Sequence, residues 1–277
     1  MLAYFNGEIL AAEQIAISMD DRGFLFGDAL YEVVHVYRGQ LFAWDLHMQR
    51  LGQGLAELRY PDVRLEGLKA AAVALLREVE DEEVLVYIQI SRGVQPRSHL
   101  FPGPSTPPTV LVWARPLVPL DAQVVAQGVS TVTAVDDRWA KVWIKTVGLL
   151  PNVMAKQAAN DQGAFDAILV RDGMVTESTS ANVFIVEAGV LRTAPVTNYI
   201  LPGITRHIVL ELAGELGMKV NLRPFSVAEM MNADEVFLTG TTTEVLAVRE
   251  VDGHAIRRVG ATSQKLLQAL HRRANQI

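Results

Sequence analysis

The 277-residue chain contains no cysteine, which excludes disulfides and thiolate chemistry and suits a cytoplasmic protein. It has no run of eighteen apolar residues, so no transmembrane helix and no membrane partner are expected. Its first residues, Met1 to Glu8, lack the basic segment and apolar core of a secretory signal. The formal charge is −6 and no basic stripe stands out, which argues against nucleic acid as a partner. No histidine–carboxylate spacing suggests a metal, and there is neither an internal repeat nor a low-complexity tract. What is present is ordinary: half of the residues are hydrophobic and a fifth are charged. That is the composition of a soluble globular protein long enough for two domains.

Periodicity and punctuation give the organisation. Asn6-Gly7 marks a type I′ hairpin near the start, and Asp20 to Gly23 reads as a loop. Tyr31 to Tyr37 is β-branched and aromatic, a strand turning at Arg38-Gly39. Its period of two puts Tyr31, Val33 and His35 on one face and Glu32, Val34 and Val36 on the other. Asp45 is a good N-cap for a helix through about Leu58 that carries His47 and Arg50. A second helix spans Leu68 to Glu78, and strands follow at Val84–Ile90 and Thr109–Ala114. Pro116 to Pro119 breaks the pattern and is expected to link a small N-terminal domain, 1–117, to a larger C-terminal one, 118–277. The second half opens with a strand at Val129–Val135 and continues with a helix from Asn152 to Gly163. Strands at 167–170, 174–177, 182–186 and 191–193 follow, then a helix opened by Leu201-Pro202-Gly203-Ile204-Thr205. Ser226 with Glu229 forms a capping box. Many hairpins and no regular βαβ alternation point to the α+β class.

One stretch invites chemistry. Lys145 sits in Arg138-Trp139-Ala140-Lys141-Val142-Trp143-Ile144-Lys145-Thr146-Val147-Gly148-Leu149-Leu150. A lysine forced into such an apolar setting loses solvation of its charged form, so its pKa falls from about 10.4 toward neutrality. Such an amine can form a Schiff base with a carbonyl. Taken alone, the stretch favours a snorkelling lysine, stem buried and ammonium in water. Three other features suit anions: Gly203-Ile204-Thr205 at a helix N-terminus, the hydroxyl-rich turn Gly240-Thr241-Thr242-Thr243, and Arg50 as a charged fork. Glu177 ends a short apolar strand, where a carboxylate can pair with a protonated ring nitrogen. Arg97 and His99 lie two apart and face the same way in an extended segment, a geometry that can grip a carboxylate. The pairs Asp20-Asp21 and Asp136-Asp137 read as loop solvation, and His35 and His47 as packing residues.

Taken together, these parts make the chain similar to the fold type IV pyridoxal phosphate-dependent enzymes, and within them to the D-amino acid transaminases. The resemblance is carried by Tyr31-Glu32-Val33-Val34, His47-Met48-Gln49-Arg50-Leu51, Arg92 to His99, Ile144-Lys145-Thr146, and Leu149-Leu150-Pro151-Asn152-Val153. It continues through Thr176 to Phe184, Leu201 to Arg206, and Thr239-Gly240-Thr241-Thr242. It implies a two-domain fold with a barrel-like core in the larger domain, and pyridoxal 5′-phosphate as cofactor. By resemblance, Lys145 holds the cofactor as a Schiff base and then shuttles the proton. Glu177 pairs with the ring nitrogen. Arg50, the Ile204 and Thr205 amides and Thr241 bind the phosphate. Leu201 packs on the ring and Tyr31 lies beside it. Tyr31, Arg97 and His99 hold the substrate α-carboxylate, with Val33 and Ser180 also in the substrate site. The loop bearing Arg97 and His99 reaches the partner subunit's site, which implies a homodimer. The activity implied is ping-pong amino transfer between D-amino acids, such as D-alanine and D-glutamate, and 2-oxo acids, such as 2-oxoglutarate and pyruvate. A branched-chain L-amino acid transaminase, an aminodeoxychorismate lyase and a cofactor-binding protein without useful turnover stand as alternatives. The sequence departs from relatives at Trp143 and Gly148, both beside Lys145.

Overall fold

The computed structural model describes residues 1–61 and 63–276. They fall into two compact units, one of Met1–Val118 with Ile144–Gly148, the other of Pro119–Trp143 with Leu149–Ile277. A single cut at Pro116–Pro119 therefore does not reproduce the compact units. The segment around Lys145 packs with the first unit, because Thr146 bridges to Leu30 and Val147 N donates to Ala29 O.

The first unit is built on a six-stranded antiparallel sheet. Its strands are β1 (Leu2–Phe5), β2 (Glu8–Ala11), β3 (Ala29–Tyr37), β4 (Gln40–Leu41), β5 (Glu83–Ser91) and β6 (Thr109–Pro116), in the order β2-β1-β6-β5-β3-β4. The expected hairpin closes at Asn6-Gly7, both with positive φ, as a type I′ turn requires. Asp20 to Gly23 is not simply a loop. Asp21 caps the short helix α1 (Arg22–Phe26), accepting from the Gly23 and Phe24 amides, and is buried rather than solvated. Helix α2 (Trp44–Glu57) starts one residue before Asp45, which lies in its first turn; its N-cap is Ala43, at φ 52° with no side-chain cap. Helix α3 (Glu66–Leu76) follows.

The second unit holds a nine-stranded mixed sheet. It comprises β7 (Val129–Val135), β8 (Asp166–Arg171), β9 (Met174–Ser178), β10 (Asn182–Glu187), β11 (Val190–Thr193), β12 (Lys219–Asn221), β13 (Glu235–Gly240), β14 (Glu244–Val251) and β15 (His254–Ala255). The order is β12-β11-β10-β13-β14-β7-β8-β9, with β15 beside β14. β9 ends that order, yet Ser178 N donates to Ala181 O at the start of interior strand β10. The sheet must curl to allow this, and it forms the half-barrel that answers to the expected barrel-like core. Its concave apolar face buries Ile168, Val183, Ile185, Phe225, Leu238 and Val248. The helices are α4 (Ala122–Gln127), α5 (Leu150–Asp161), α6 (Ile204–Glu215), α7 (Val227–Asn232) and α8 (Ala261–Ala274). The short elements α4 and β12 have too little periodicity to be read from sequence. The Ser226/Glu229 capping box forms as the spacing predicts. No helix among the described residues is long and apolar enough to cross a membrane.

Candidate active site

In the first unit, β3 presents two faces, as its period of two requires. Glu32 shares the inner face with Val34 and Val36 and is fully buried. His47 and Arg50, three apart on α2, lie on one helix face and both meet it. Arg50 Nε and Nη2 each donate to a Glu32 oxygen at 2.7 Å, and His47 Nδ1 lies 2.7 Å from Oε2. Burial by itself would raise the Glu32 carboxyl, but the Arg50 guanidinium and the His47 ring hold it down to about 2. Burial pushes the His47 imidazole down, only partly opposed by Glu32. The neutral ring therefore donates its Nδ1–H to the ionised carboxylate, which can only accept. His47 is thus a polar partner rather than packing, and the Arg50 fork is engaged by Glu32. The signal for this was a glutamate among valines on the buried face of the strand.

On the opposite face of β3, Tyr31 stacks on Tyr87 at 5.6 Å, and Tyr87 stacks on Trp113 at 4.9 Å. Burial raises the Tyr87 phenol to about 12. Val33 is half-buried on this face. Lys145 O accepts from Tyr31 N at 3.0 Å, which brings the lysine back over the ring, with Nζ 4.2 Å from its centroid. Lys145 is half-buried; what its amine meets is an aromatic face, a milder setting than a closed apolar sleeve. A side chain added at Gly148 would meet only Thr146 Oγ1, at 3.7 Å, so packing does not demand glycine there.

Arg97 and His99 are exposed, and they converge. The Arg97 guanidinium lies 5.2 Å from the Phe26 ring centroid, and the His99 ring lies 5.6 Å from that same ring.

In the second unit, Glu177 at the end of β9 is buried. Its Oε1 accepts from Arg138 Nη1. Its Oε2 accepts from Asn182 Nδ2 at 2.9 Å and from the Leu201 amide at 3.0 Å. Burial pushes the carboxyl up to about 7 against the pull of Arg138. Arg138 is in turn held by Asp136 through Nε and Nη2, and Asp136 also accepts from Thr176 Oγ1 at 2.7 Å. Asp136 is therefore a buried anchor and not a loop-solvating residue. The Asp-x-Arg spacing at the end of an apolar strand was the signal available. Asp137 stays exposed.

Gly203 N-caps α6, so the Ile204 and Thr205 amides lie in its first turn, where N–H groups have no intrahelical acceptor. A Cβ on Gly203 would come within 2.1 Å of Asn182 Oδ1, so glycine is needed for this close approach. At the other turn, a Cβ on Gly240 would come within 2.7 Å of Thr243 Oγ1 and 3.4 Å of Ser180 O. The buried hydroxyls of Thr239 and Thr243 have no hydrogen-bond partner. Thr241 is half-buried between them and Ser180 is exposed. Glycine-lined turns with free amides and unpaired hydroxyls suit an oxyanion such as a phosphate. A buried carboxylate whose Oε1 accepts from Arg138, with Oε2 held by Asn182 and the Leu201 amide, suits a protonated heterocyclic nitrogen. These residues fit pyridoxal 5′-phosphate.

The sequence profile of the family described as amino-transferase class IV matches residues 29–251. The chain belongs to the class IV aminotransferases. Among its relatives, a D-alanine aminotransferase of Bacillus licheniformis is 40% identical over 92% of this chain and 90% of the relative. One from Staphylococcus epidermidis is 34% identical over 97% of this chain and 96% of its own. Among solved structures, a branched-chain amino acid aminotransferase of Escherichia coli superposes with a TM-score of 0.90 at 27% identity, covering 98% of this chain and 93% of that one. The branched-chain aminotransferase of the thermophilic archaeon Thermoproteus uzoniensis, solved with norvaline, gives a TM-score of 0.88 at 25% identity, covering 99% and 94%. This class IV aminotransferase thus has the fold type IV architecture that its motifs imply.

Proposed function

We propose that this class IV aminotransferase transfers amino groups between D-amino acids, D-alanine and D-glutamate among them, and 2-oxo acids such as 2-oxoglutarate and pyruvate. The observation that carries the D-specific reading is the Arg97/His99 pair, a guanidinium and an imidazole brought onto one aromatic ring and left open to a carboxylate. The relatives named D-alanine aminotransferase support it.

Bound pyridoxal phosphate supplies an electron sink for the charge left at the substrate α-carbon. The chain's own residues do the rest. Lys145 Nζ is the amine that would hold the cofactor and would carry the α-proton; the Tyr31 ring keeps it directed. Glu177 pairs with the ring nitrogen, whose positive charge would draw the carboxyl below the value burial alone imposes. Its three donors fix its direction. Leu201, tied to Glu177 by its amide, is positioned to pack on the ring. Thr241 and the Ile204 and Thr205 amides take the phosphate, with Arg50 adding charge. Tyr31, Arg97 and His99 take the α-carboxylate by charge-assisted hydrogen bonds, and Val33 and Ser180 border the side chain.

Phe24, on the helix of Phe26, and Leu100, next to His99 in the chain, are each more than 70% exposed. Exposed apolar side chains of this size suit a subunit interface, and we assign the homodimer contact to this loop, in the cytoplasm. Light scattering should give twice the chain mass; a monomer would sink the assignment of the pair to a partner's site. A half-reaction panel read by cofactor absorbance tests the substrate. D-Alanine and D-glutamate should convert the cofactor, and L-leucine and L-valine should not. Conversion by the L-amino acids alone would favour the branched-chain alternative, and no response to any amino acid would favour a binding protein without turnover.

A further inference from the structure

We propose that Phe26 and Arg22, on helix α1, are positioning residues that preorganise Arg97 and His99 for the substrate carboxylate. This rests on the carboxylate-binding role given to that pair above. Arg97 and His99 are exposed side chains on a loop between prolines, and such side chains would ordinarily sample many rotamers. Gripping a carboxylate would then cost the entropy of freezing them. The geometry removes much of that cost beforehand. The Phe26 ring carries the Arg97 guanidinium at 5.2 Å and the Arg22 guanidinium at 4.9 Å, while the His99 ring packs against it at 5.6 Å, tilted by 51°.

The backbone between the two side chains is fixed as well. Arg22 Nη1 donates to Ser98 O at 2.7 Å and to Leu100 O at 3.1 Å. The segment bends at Pro96-Arg97 and again at His99-Leu100, and the two carbonyls that flank His99 both accept from this one nitrogen. One guanidinium nitrogen therefore pins the backbone that carries Arg97 and His99. Arg22 is itself held from several sides. It is buried, and its Nε donates to Asp28 Oδ2 at 2.9 Å, which also accepts from the buried Arg92 Nε at 2.8 Å. Arg22 N is bonded to Gly93 O, and the Asp21 cap of α1 accepts from Ser91 Oγ at 2.8 Å and Thr109 Oγ1 at 2.7 Å. Helix α1 is thus tied to the two strands that flank the loop. None of its residues need touch the substrate, so its effect appears in binding of the carboxylate.

The test is steady-state kinetics of the holoenzyme for Phe26→Leu, Phe26→Tyr, Arg97→Ala and the double variant Phe26→Leu/Arg97→Ala. Losing the Arg97 and His99 contacts with the ring should raise KM about tenfold. Because both substrates carry an α-carboxylate, KM should rise for D-alanine and for 2-oxoglutarate alike, with kcat within about threefold of the parent. Phe26→Tyr keeps the ring and should restore KM. In the Arg97→Ala background the Phe26→Leu effect should shrink, since the ring acts through the cation. Arg22→Lys, which keeps the charge but loses the fork, should raise KM in the same way. If Arg97→Ala raises KM while Phe26→Leu leaves it unchanged, or lowers only kcat and the melting temperature, the platform role is wrong. If Arg97→Ala leaves KM unchanged, the carboxylate role of the pair fails, and this inference with it.

Discussion

The Glu32→Gln variant tests the buried charge cluster beneath the Tyr31 strand. Glu32 is fully buried and bonded to Arg50 twice and to His47 once. A carboxyl that ordinarily titrates at 4.5 is held at about 2 in the fold. The folded value is below the unfolded one, so its contribution is complete above about pH 4.5 and is lost as pH falls toward 2. That difference amounts to about 3 kcal/mol. The substitution keeps the shape but removes the Glu32 charge that the buried Arg50 guanidinium faces, a defect of about the same size. Urea unfolding followed by tryptophan fluorescence is a suitable assay, since the buried Trp44 opens the helix that carries His47 and Arg50. The variant should be less stable than the parent by about 3 kcal/mol at pH 7, the gap narrowing to roughly 2 kcal/mol at pH 3.5 as Glu32 of the unfolded parent takes up its proton. A gap that does not change with pH would refute the reasoning, because an uncharged packing defect has no reason to follow Glu32's titration.

Three further outcomes are expected. Lys145→Ala should lower turnover by at least about a thousandfold with the fold intact by circular dichroism. Borohydride should tether the cofactor to the parent at Lys145 and not to the variant; retained turnover would remove the lysine from the mechanism. Arg97→Ala should shift the melting temperature by less than about 2 °C, as suits an exposed side chain, so its effect on KM is separable from stability by calorimetry. Gly203→Ala must displace the Asn182 amide that holds Glu177. Cofactor affinity by fluorescence titration should fall about tenfold, a loss of roughly 1.4 kcal/mol, and unchanged affinity would detach this turn from the cofactor.

The chain's own pattern determined its elements wherever periodicity and punctuation coincide. The Asn6-Gly7 and Arg38-Gly39 turns, the strand around Tyr31, the Ser226 capping box and the small-residue turns at Gly203 and Gly240 follow from local chemistry. Local chemistry acts over a few residues, and the sequence displays it directly. Tertiary structure alone decided what each buried charge meets. Asp21, Asp136 and Glu32 were hydrophilic letters until folding buried them against Ser91, Arg138 and Arg50, partners that lie 70, 2 and 18 positions away. Apart from the two-residue spacing of Asp136 and Arg138, sequence separation does not announce such pairing. Desolvation selects it, because an ion removed from water persists only beside a counter-charge or a set of donors. Lys145 shows the division. Its apolar neighbours along the chain allowed a buried amine but favoured one that reaches water, whereas the backbone bond to Tyr31 places that amine over a single aromatic ring.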